Sequence, residues 1–335
     1  MTATTDHPRV VVFDPLSAQI EWSYEVERGL LAEQGVDLIV PDSAAEANVV
    51  VRDADVVIVN ALRGMNADTI ATLNRCVGLL AYSIGMNQID QDAAAARSIP
   101  VGNTPFCVDE VADQALTLLL AAERRLIPFV QAVAEGNWDY TRTPMYPVVH
   151  KLRGRTLGII GAGRIGTQIA RRAAPFGYRI LGYDPYVERT PEPIQKVDLD
   201  TLLREADSIV LAPSLTSTSL GILSRDALSK VKPGVNVVNI ARGALVDEAA
   251  LADALRDGRV GYAALDVRAD EPPKPDNDPL TGLPNVIGTP HIAGMSVEAR
   301  DALHVMAADA ALAMLRAGGR LQERGAEAAT TASFA

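Results

Sequence analysis

The stretch "LGIIGAGRIGTQIARRA" (157–173) constrains the fold of this chain more than any other. "LGII" reads as a buried strand, Gly161, Gly163 and Gly166 follow at Gly-x-Gly-x-x-Gly spacing, and "TQIARRAAPFG" continues as a helix. Glycines at that spacing occur by chance in many loops. The strand-turn-helix context gives these a purpose: a tight turn, and a backbone approach close enough for the amides of Arg164 and Ile165 to face a pyrophosphate. The next strand, "YRILGYD", ends in Asp184, 18 residues beyond Gly166. A carboxylate there can accept from both ribose hydroxyls and repels a 2′-phosphate, which predicts NAD rather than NADP.

The surrounding pattern predicts an α/β protein of two doubly wound domains. In the first hundred residues, "VVVFD" (10–14), "VDLIV" (36–40), "ADVVIVN" (54–60) and "GLLAY" (78–82) alternate with helical segments, the signature of a parallel sheet with crossover helices. From the glycine stretch onward, six strand signals recur, the later ones being "ADSIVLA", "GVNVVNIA", "GYAALDV" and "NVIGTP". Between the two sets, one long helix is expected from about Val108 to Glu135, ended by Gly136 and Asn137, with Val111, Ala115, Leu118, Leu119 and Ala122 on a core or subunit-packing face. A last helix, about Val297 to Leu315, is expected to return to the first lobe. Residues 8–104 with 293–320 therefore form a discontinuous, flavodoxin-like substrate domain around a Rossmann NAD-binding domain, 105–292. Residues 321–335, poor in bulky apolar groups, read as a disordered tail.

Composition excludes several function classes. With 335 residues, 48% of them apolar, the chain can fill two cores, and a net charge of -11 disfavours nucleic acid or an anionic membrane as partner. The longest apolar runs fall short of the roughly 20 residues that cross a bilayer, and the polar start lacks a signal-peptide core, so a cytoplasmic location is expected. Cys76 and Cys107 have neither metal-ligand spacing nor a disulfide framework, and no metal is expected.

Nicotinamide chemistry needs a substrate clamp and a proton carrier, and three later segments offer them. "VNIARGALVDE" places Arg242 directly after a strand, "ALDVRADEPP" brings Glu271 after another, and "TPHIAGMSVEAR" supplies His291, one of only four histidines, after a third. Carboxyl ends of strands are where open α/β sheets bind ligands. Singly, Arg242 reads as well as a surface residue at a helix start, Glu271 as part of a solvated loop and His291 as a polar helix cap. Jointly, downstream of a dinucleotide turn, they read as one crevice.

Together these motifs resemble the D-isomer-specific 2-hydroxyacid dehydrogenases, from about Val10 to about Leu315. The family's arginine, glutamate and histidine motifs are similar to "NIARGALVDE", "ALDVRADEP" and "PNVIGTPHIAG" in that order, and "SIGMNQID" (83–90) is similar to its substrate loop. "DPY" (184–186) is similar to the branch that includes the C-terminal-binding-protein corepressors. The resemblance implies an NAD(H)-dependent 2-keto acid reductase: Arg242 grips the carboxylate and keto oxygen of a ketone held between the lobes, and the amides of Ile84 and Gly85 complete the carboxylate site. His291 passes its proton to the oxygen, Glu271 bonds the far imidazole nitrogen, and Asp266 lies near the nicotinamide carboxamide, with Thr216 and Ile240 also on the cofactor. A homodimer is implied too. The chain departs from the family pattern at "APSLT" (212–216), where many members have His-x-Pro-Leu-Thr, and at Met86 and Asn87 in the substrate loop. Arg63 is a candidate second positive charge for substrate. The rival function is an NADH-responsive, corepressor-like binding protein with weak or no turnover.

Overall fold

The computed structural model describes residues 7–13, 22–60, 64–138 and 149–322. Arg63 lies outside them, as does the tail from residue 323. The chain separates into two compact units, one of Cys107–Ser296 and one of the residues up to Phe106 and from Val297 onward.

The first unit runs β1 (Arg9–Phe13), α1 (Glu25–Ala32), β2 (Asp37–Ile39), α2 (Ala44–Val50), β3 (Val56–Val59), α3 (Ala67–Ala71), β4 (Gly78–Ala81), α4 (Gln91–Ala96) and β5 (Val101–Asn103). All pairings are parallel, in the order β2-β1-β3-β4-β5. Strands β1, β3 and β4 are buried almost throughout because helices cover both faces, which explains their unbroken apolar runs. The sequence reading missed β5. Its three half-buried residues are Val-Gly-Asn, so no run of β-branched residues marks it.

The second unit opens with α5 (Val108–Glu123) and α6 (Leu126–Ala134), then β6 (Thr156–Ile160), α7 (Arg164–Ala173), β7 (Arg179–Tyr183), β8 (Gln195–Lys196), α8 (Leu199–Glu205), β9 (Ser208–Leu211), α9 (Arg225–Lys230), β10 (Val235–Asn239), α10 (Glu248–Arg256), β11 (Val260–Leu265) and β12 (Val286–Gly288). Its sheet is parallel in the order β12-β11-β10-β9-β6-β7-β8, so the strand order reverses between β6 and β9, the switch point at which a doubly wound sheet opens a crevice. The two-residue, exposed β8 was not foreseen. The single helix expected over Val108–Glu135 is corrected to two. Arg125, between them, adopts φ +53°, and its buried guanidinium donates to the Ala122 carbonyl and to Asn236 Oδ1 (2.9 Å) while lying over the Tyr262 ring. These tertiary contacts override a locally continuous helical pattern. Helices α2, α3, α4, α8, α9 and α10 each begin at a Ser, Asn or Asp whose side chain accepts from an amide three residues on.

The chain then returns to the first unit as α11 (Val297–Ala317), where Leu303, Ala307, Ala311 and Leu315 pack with Val10, Val12, Ile58 and Leu80. Glu27 of α1, fully buried, accepts from the Tyr82 hydroxyl at 2.5 Å and sits 2.9 Å from His304 Nδ1 of α11. That cluster ties both helices to the end of β4. Among the described residues, no helix is long and apolar enough to cross a membrane.

Candidate active site

The three glycines after β6 have different reasons to be glycine. Gly161 adopts φ +95°, and a Cβ on it would lie 2.5 Å from the Pro213 nitrogen of the loop after β9; a Cβ on Gly166 would lie 2.0 Å from the Gly161 carbonyl oxygen. Both positions are closed by backbone. A Cβ on Gly163 would meet no protein atom within 4 Å. The space there is open, directly before α7, whose start has no side-chain cap and whose first amides, those of Arg164 and Ile165, lie in the turn that lacks intrahelical acceptors. These features fit a pyrophosphate at the helix start.

Asp184, at the end of β7, accepts from the amides of Ala162 (2.9 Å) and Tyr186 (2.9 Å), one on each oxygen, so the carboxylate is braced against the glycine turn. Each oxygen keeps a further lone pair for a ribose hydroxyl. Thr216 is exposed, its amide donating to Ser219 Oγ, and Ile240 is buried just beyond β10.

Loops after β10, β11 and β12 carry the other predicted groups. The buried side chain of Asn239 bonds the Arg242 carbonyl (2.9 Å) and the Ala241 amide (3.1 Å), shaping the turn that presents Arg242. Burial pushes the Arg242 guanidinium down from its usual range, and the charge of Glu271 opposes that shift. Glu271 uses both oxygens: Oε1 accepts from the Arg268 amide (2.9 Å), and Oε2 lies 2.7 Å from His291 Nδ1. A carboxylate can only accept, so Nδ1 carries the hydrogen and Nε2 is the nitrogen left to exchange a proton with a ligand. Both side chains are partly open to solvent, 50% for His291 and 39% for Glu271.

His291 adopts φ +55°, a left-handed conformation uncommon outside glycine. Its amide donates to the carbonyls of Asp266 (2.8 Å) and Thr289 (3.0 Å). The Asp266 carboxylate, almost fully buried, accepts from Thr289 Oγ1 (2.5 Å), Ile292 N (3.0 Å) and Ala293 N (2.9 Å). Asp266, which the family resemblance places near the nicotinamide carboxamide, thus also holds the histidine loop in this conformation.

Sequence reasoning also missed Arg268, Glu248 and Asp278. Arg268 binds Glu248 through Nε (3.0 Å) and Asp278 through Nη2 behind the Glu271 loop. Two of these residues lie inside the quoted motifs, but nothing local marks a charged side chain as buried.

In the first unit, the loop of Ile84 and Gly85 is closed by its own polar groups. Asn103 Nδ2 donates to the Ile84 carbonyl (2.6 Å), Ser83 Oγ to the Gly85 carbonyl (2.7 Å), and Gln88 Nε2 to Ser83 Oγ (2.8 Å). Among the described residues, no group of three or more His, Cys, Asp or Glu could hold a metal ion.

Residues 116–293 match the family model described as "D-isomer specific 2-hydroxyacid dehydrogenase, NAD binding domain". A hydroxypyruvate reductase of Thermotoga maritima is 37% identical over 253 residues, covering 75% of this chain and 81% of that protein. A D-3-phosphoglycerate dehydrogenase of Methanocaldococcus jannaschii is 37% identical over 278 residues, covering 82% of this chain but 52% of that protein, so the chain spans about half the length of such relatives. The crystal structure of a glyoxylate reductase from Paecilomyes thermophila superimposes with a TM-score of 0.82 at 27% identity, covering 94% of this chain and 97% of that one.

Proposed function

The chain belongs to the D-isomer-specific 2-hydroxyacid dehydrogenases and carries their NAD-binding domain, and on that premise we propose that it interconverts a small 2-keto acid and its D-2-hydroxy acid. NAD(H), when bound, supplies or accepts the hydride. Gly163 and the amides of Arg164 and Ile165 would receive its pyrophosphate, and Asp184 its ribose hydroxyls. The planar guanidinium of Arg242 grips the substrate carboxylate and keto oxygen at two points, which orients the carbonyl and draws electron density toward oxygen. His291 gives its Nε2 proton to that oxygen in reduction and takes it back in oxidation. Glu271 holds the ring in the tautomer that makes this possible. The amides of Ile84 and Gly85 are assigned to the substrate carboxylate.

The observation that carries this reading is the 2.7 Å contact between Glu271 Oε2 and His291 Nδ1, with Glu271 also bearing electrostatically on Arg242. A binding module has no need of a proton relay beside a guanidinium. The test is NADH consumption, followed at 340 nm, with glyoxylate, hydroxypyruvate, pyruvate, phenylpyruvate and branched 2-keto acids. Saturable turnover of at least one supports the proposal; NADH binding without turnover on any of them sinks it and favours a corepressor-like protein. The choice among substrates rests on differences of about 1–3 kcal/mol per methylene, so the panel must be read as ratios of kcat/KM.

A further inference from the structure

We propose that Arg268 is the positioning residue that sets Glu271 against His291, an inference that rests on the dehydrogenase reading above. Arg268 is held from three sides, at its carbonyl, at its guanidinium and through the amide of Ala269 that follows it. Gly243, one residue after Arg242, lies so close that a Cβ on it would be 1.9 Å from the Arg268 carbonyl carbon. Glu248, the first residue of α10, accepts from the Ala269 amide (2.9 Å) and from Arg268 Nε (3.0 Å) on one oxygen, and from Arg268 Nη2 (3.2 Å) on the other. The same Nη2 also binds Asp278, whose carboxylate is further fixed by the Leu280 amide (2.9 Å) and the Thr281 hydroxyl (2.7 Å). From this clamped residue, the Arg268 amide, in the peptide just before it, donates to Glu271 Oε1 (2.9 Å), leaving Oε2 aimed at His291.

The geometry makes Arg268 a joint between two functional loops. On one side it abuts the turn that presents Arg242; on the other its backbone orients the carboxylate partner of the proton carrier. Its side chain is 15% exposed, and those of Glu248 and Asp278 are 13% and 4%. Burial opposes ionisation of Asp278, but the Arg268 guanidinium and Thr281 hydroxyl hold its carboxyl down at about 2. Buried charges of this kind are weak evidence of stability, since an apolar set of similar volume often serves as well. Their value is directional: a planar fork between two carboxylates fixes the backbone that carries it in a way an ammonium cannot.

The test is Arg268→Lys in the full chain, read in three ways. First, kcat on the best 2-keto acid should fall about 10- to 100-fold, the range expected when a reacting group is displaced by about an ångström, while the KM for NADH stays within about twofold. Second, Glu271→Gln should cost much less in the Arg268→Lys background than in wild type, because the two changes damage the same contact. Third, the proton between His291 Nδ1 and Glu271 should give a downfield NMR resonance, assigned by its loss in His291→Ala, that moves upfield or vanishes in Arg268→Lys. The resonance does not depend on turnover. If the wild type reduces no 2-keto acid yet the resonance responds to Arg268→Lys, the dehydrogenase reading fails and the positioning role stands. Should Arg268→Lys not fold, Glu248→Gln, which keeps the side-chain shape and loosens the clamp on the Ala269 amide, carries the same readouts with a smaller kcat loss. Unchanged kcat with an unmoved resonance, or strictly additive losses with Glu271→Gln, overturns the proposal.

Discussion

Arg242 and His291 are asked for different chemistry, and their surroundings differ accordingly. Arg242 is half-buried, where a fixed cation acts more strongly than in water, while His291 stays half-exposed, where it can reload its proton from solvent. Arg242→Lys should therefore melt within a few degrees of wild type and lose about 100-fold or more in kcat/KM, since an ammonium offers no planar two-point grip. Steady-state kinetics beside a thermal melt checks this; wild-type kcat/KM would remove Arg242 from the site. The thiols behave oppositely from reactive cysteines. Burial pushes Cys76 up to about 11, and burial with the charge of Glu110 pushes Cys107 up to about 12. A raised folded value means that the neutral thiol is favoured by folding, so this contribution to stability is complete below the ordinary thiol range and is lost as pH climbs toward about 11–12. Iodoacetamide at pH 8 should thus label neither cysteine in the native protein within minutes and both in denaturant, by intact mass. At this scale Arg242, Glu271 and His291 were legible because each follows a strand end inside a motif. Arg268 was not, and neither was the second task of Asp266 in the histidine loop, since both depend on amides and carboxylates brought together only by the fold.

The glycine turn and the helices around it are where local and tertiary effects separate. Gly166→Ala must displace the Gly161 carbonyl, so it should yield little folded protein; Gly163→Ala, at φ -72° with open space ahead, should melt like wild type and weaken NADH by about tenfold, or 1.4 kcal/mol. Tryptophan-to-nicotinamide fluorescence titration with a melt distinguishes them, and equal affinity in Gly163→Ala would remove that open space from the cofactor site. In the first unit, His304→Ala leaves the buried Glu27 without its α11 partner and should destabilise by about 3–5 kcal/mol in urea unfolding. A loss under about 1 kcal/mol would mean that Tyr82 alone satisfies the carboxylate. The longer strands and the last helix could be read from β-branched runs and apolar spacing. The break at Arg125 could not, because its cause is the distant Asn236 and Tyr262, and β5 (Val-Gly-Asn) and β8 (Gln-Lys) carry no apolar run.

For the whole molecule, the order of elements says that the chain completes the second sheet before returning, as α11, to finish the first unit. The two-lobe division followed from counting strand signals, and the boundaries expected after residues 104 and 292 lie within four residues of those between Phe106 and Cys107 and between Ser296 and Val297. Helix α6 has no buried residue and leaves Leu126, Ile127, Val130 and Val133 exposed, with Trp138 just beyond. An apolar face of that kind supports the proposed homodimer. Light scattering should give twice the chain mass of 35.6 kDa, and a monomer at micromolar concentration would refute the dimer. Asp184, braced beside the glycine turn, should make kcat/KM at least about tenfold better with NADH than with NADPH. In the proposed reaction His291, held by Glu271, moves the proton while the dinucleotide is held elsewhere. Its most direct test is His291→Ala, assayed for 2-keto acid reduction and 2-hydroxy acid oxidation alongside NADH affinity by fluorescence. Turnover should fall by at least about 100-fold in both directions with NADH affinity within about threefold of wild type. Near-normal turnover in either direction would contradict it.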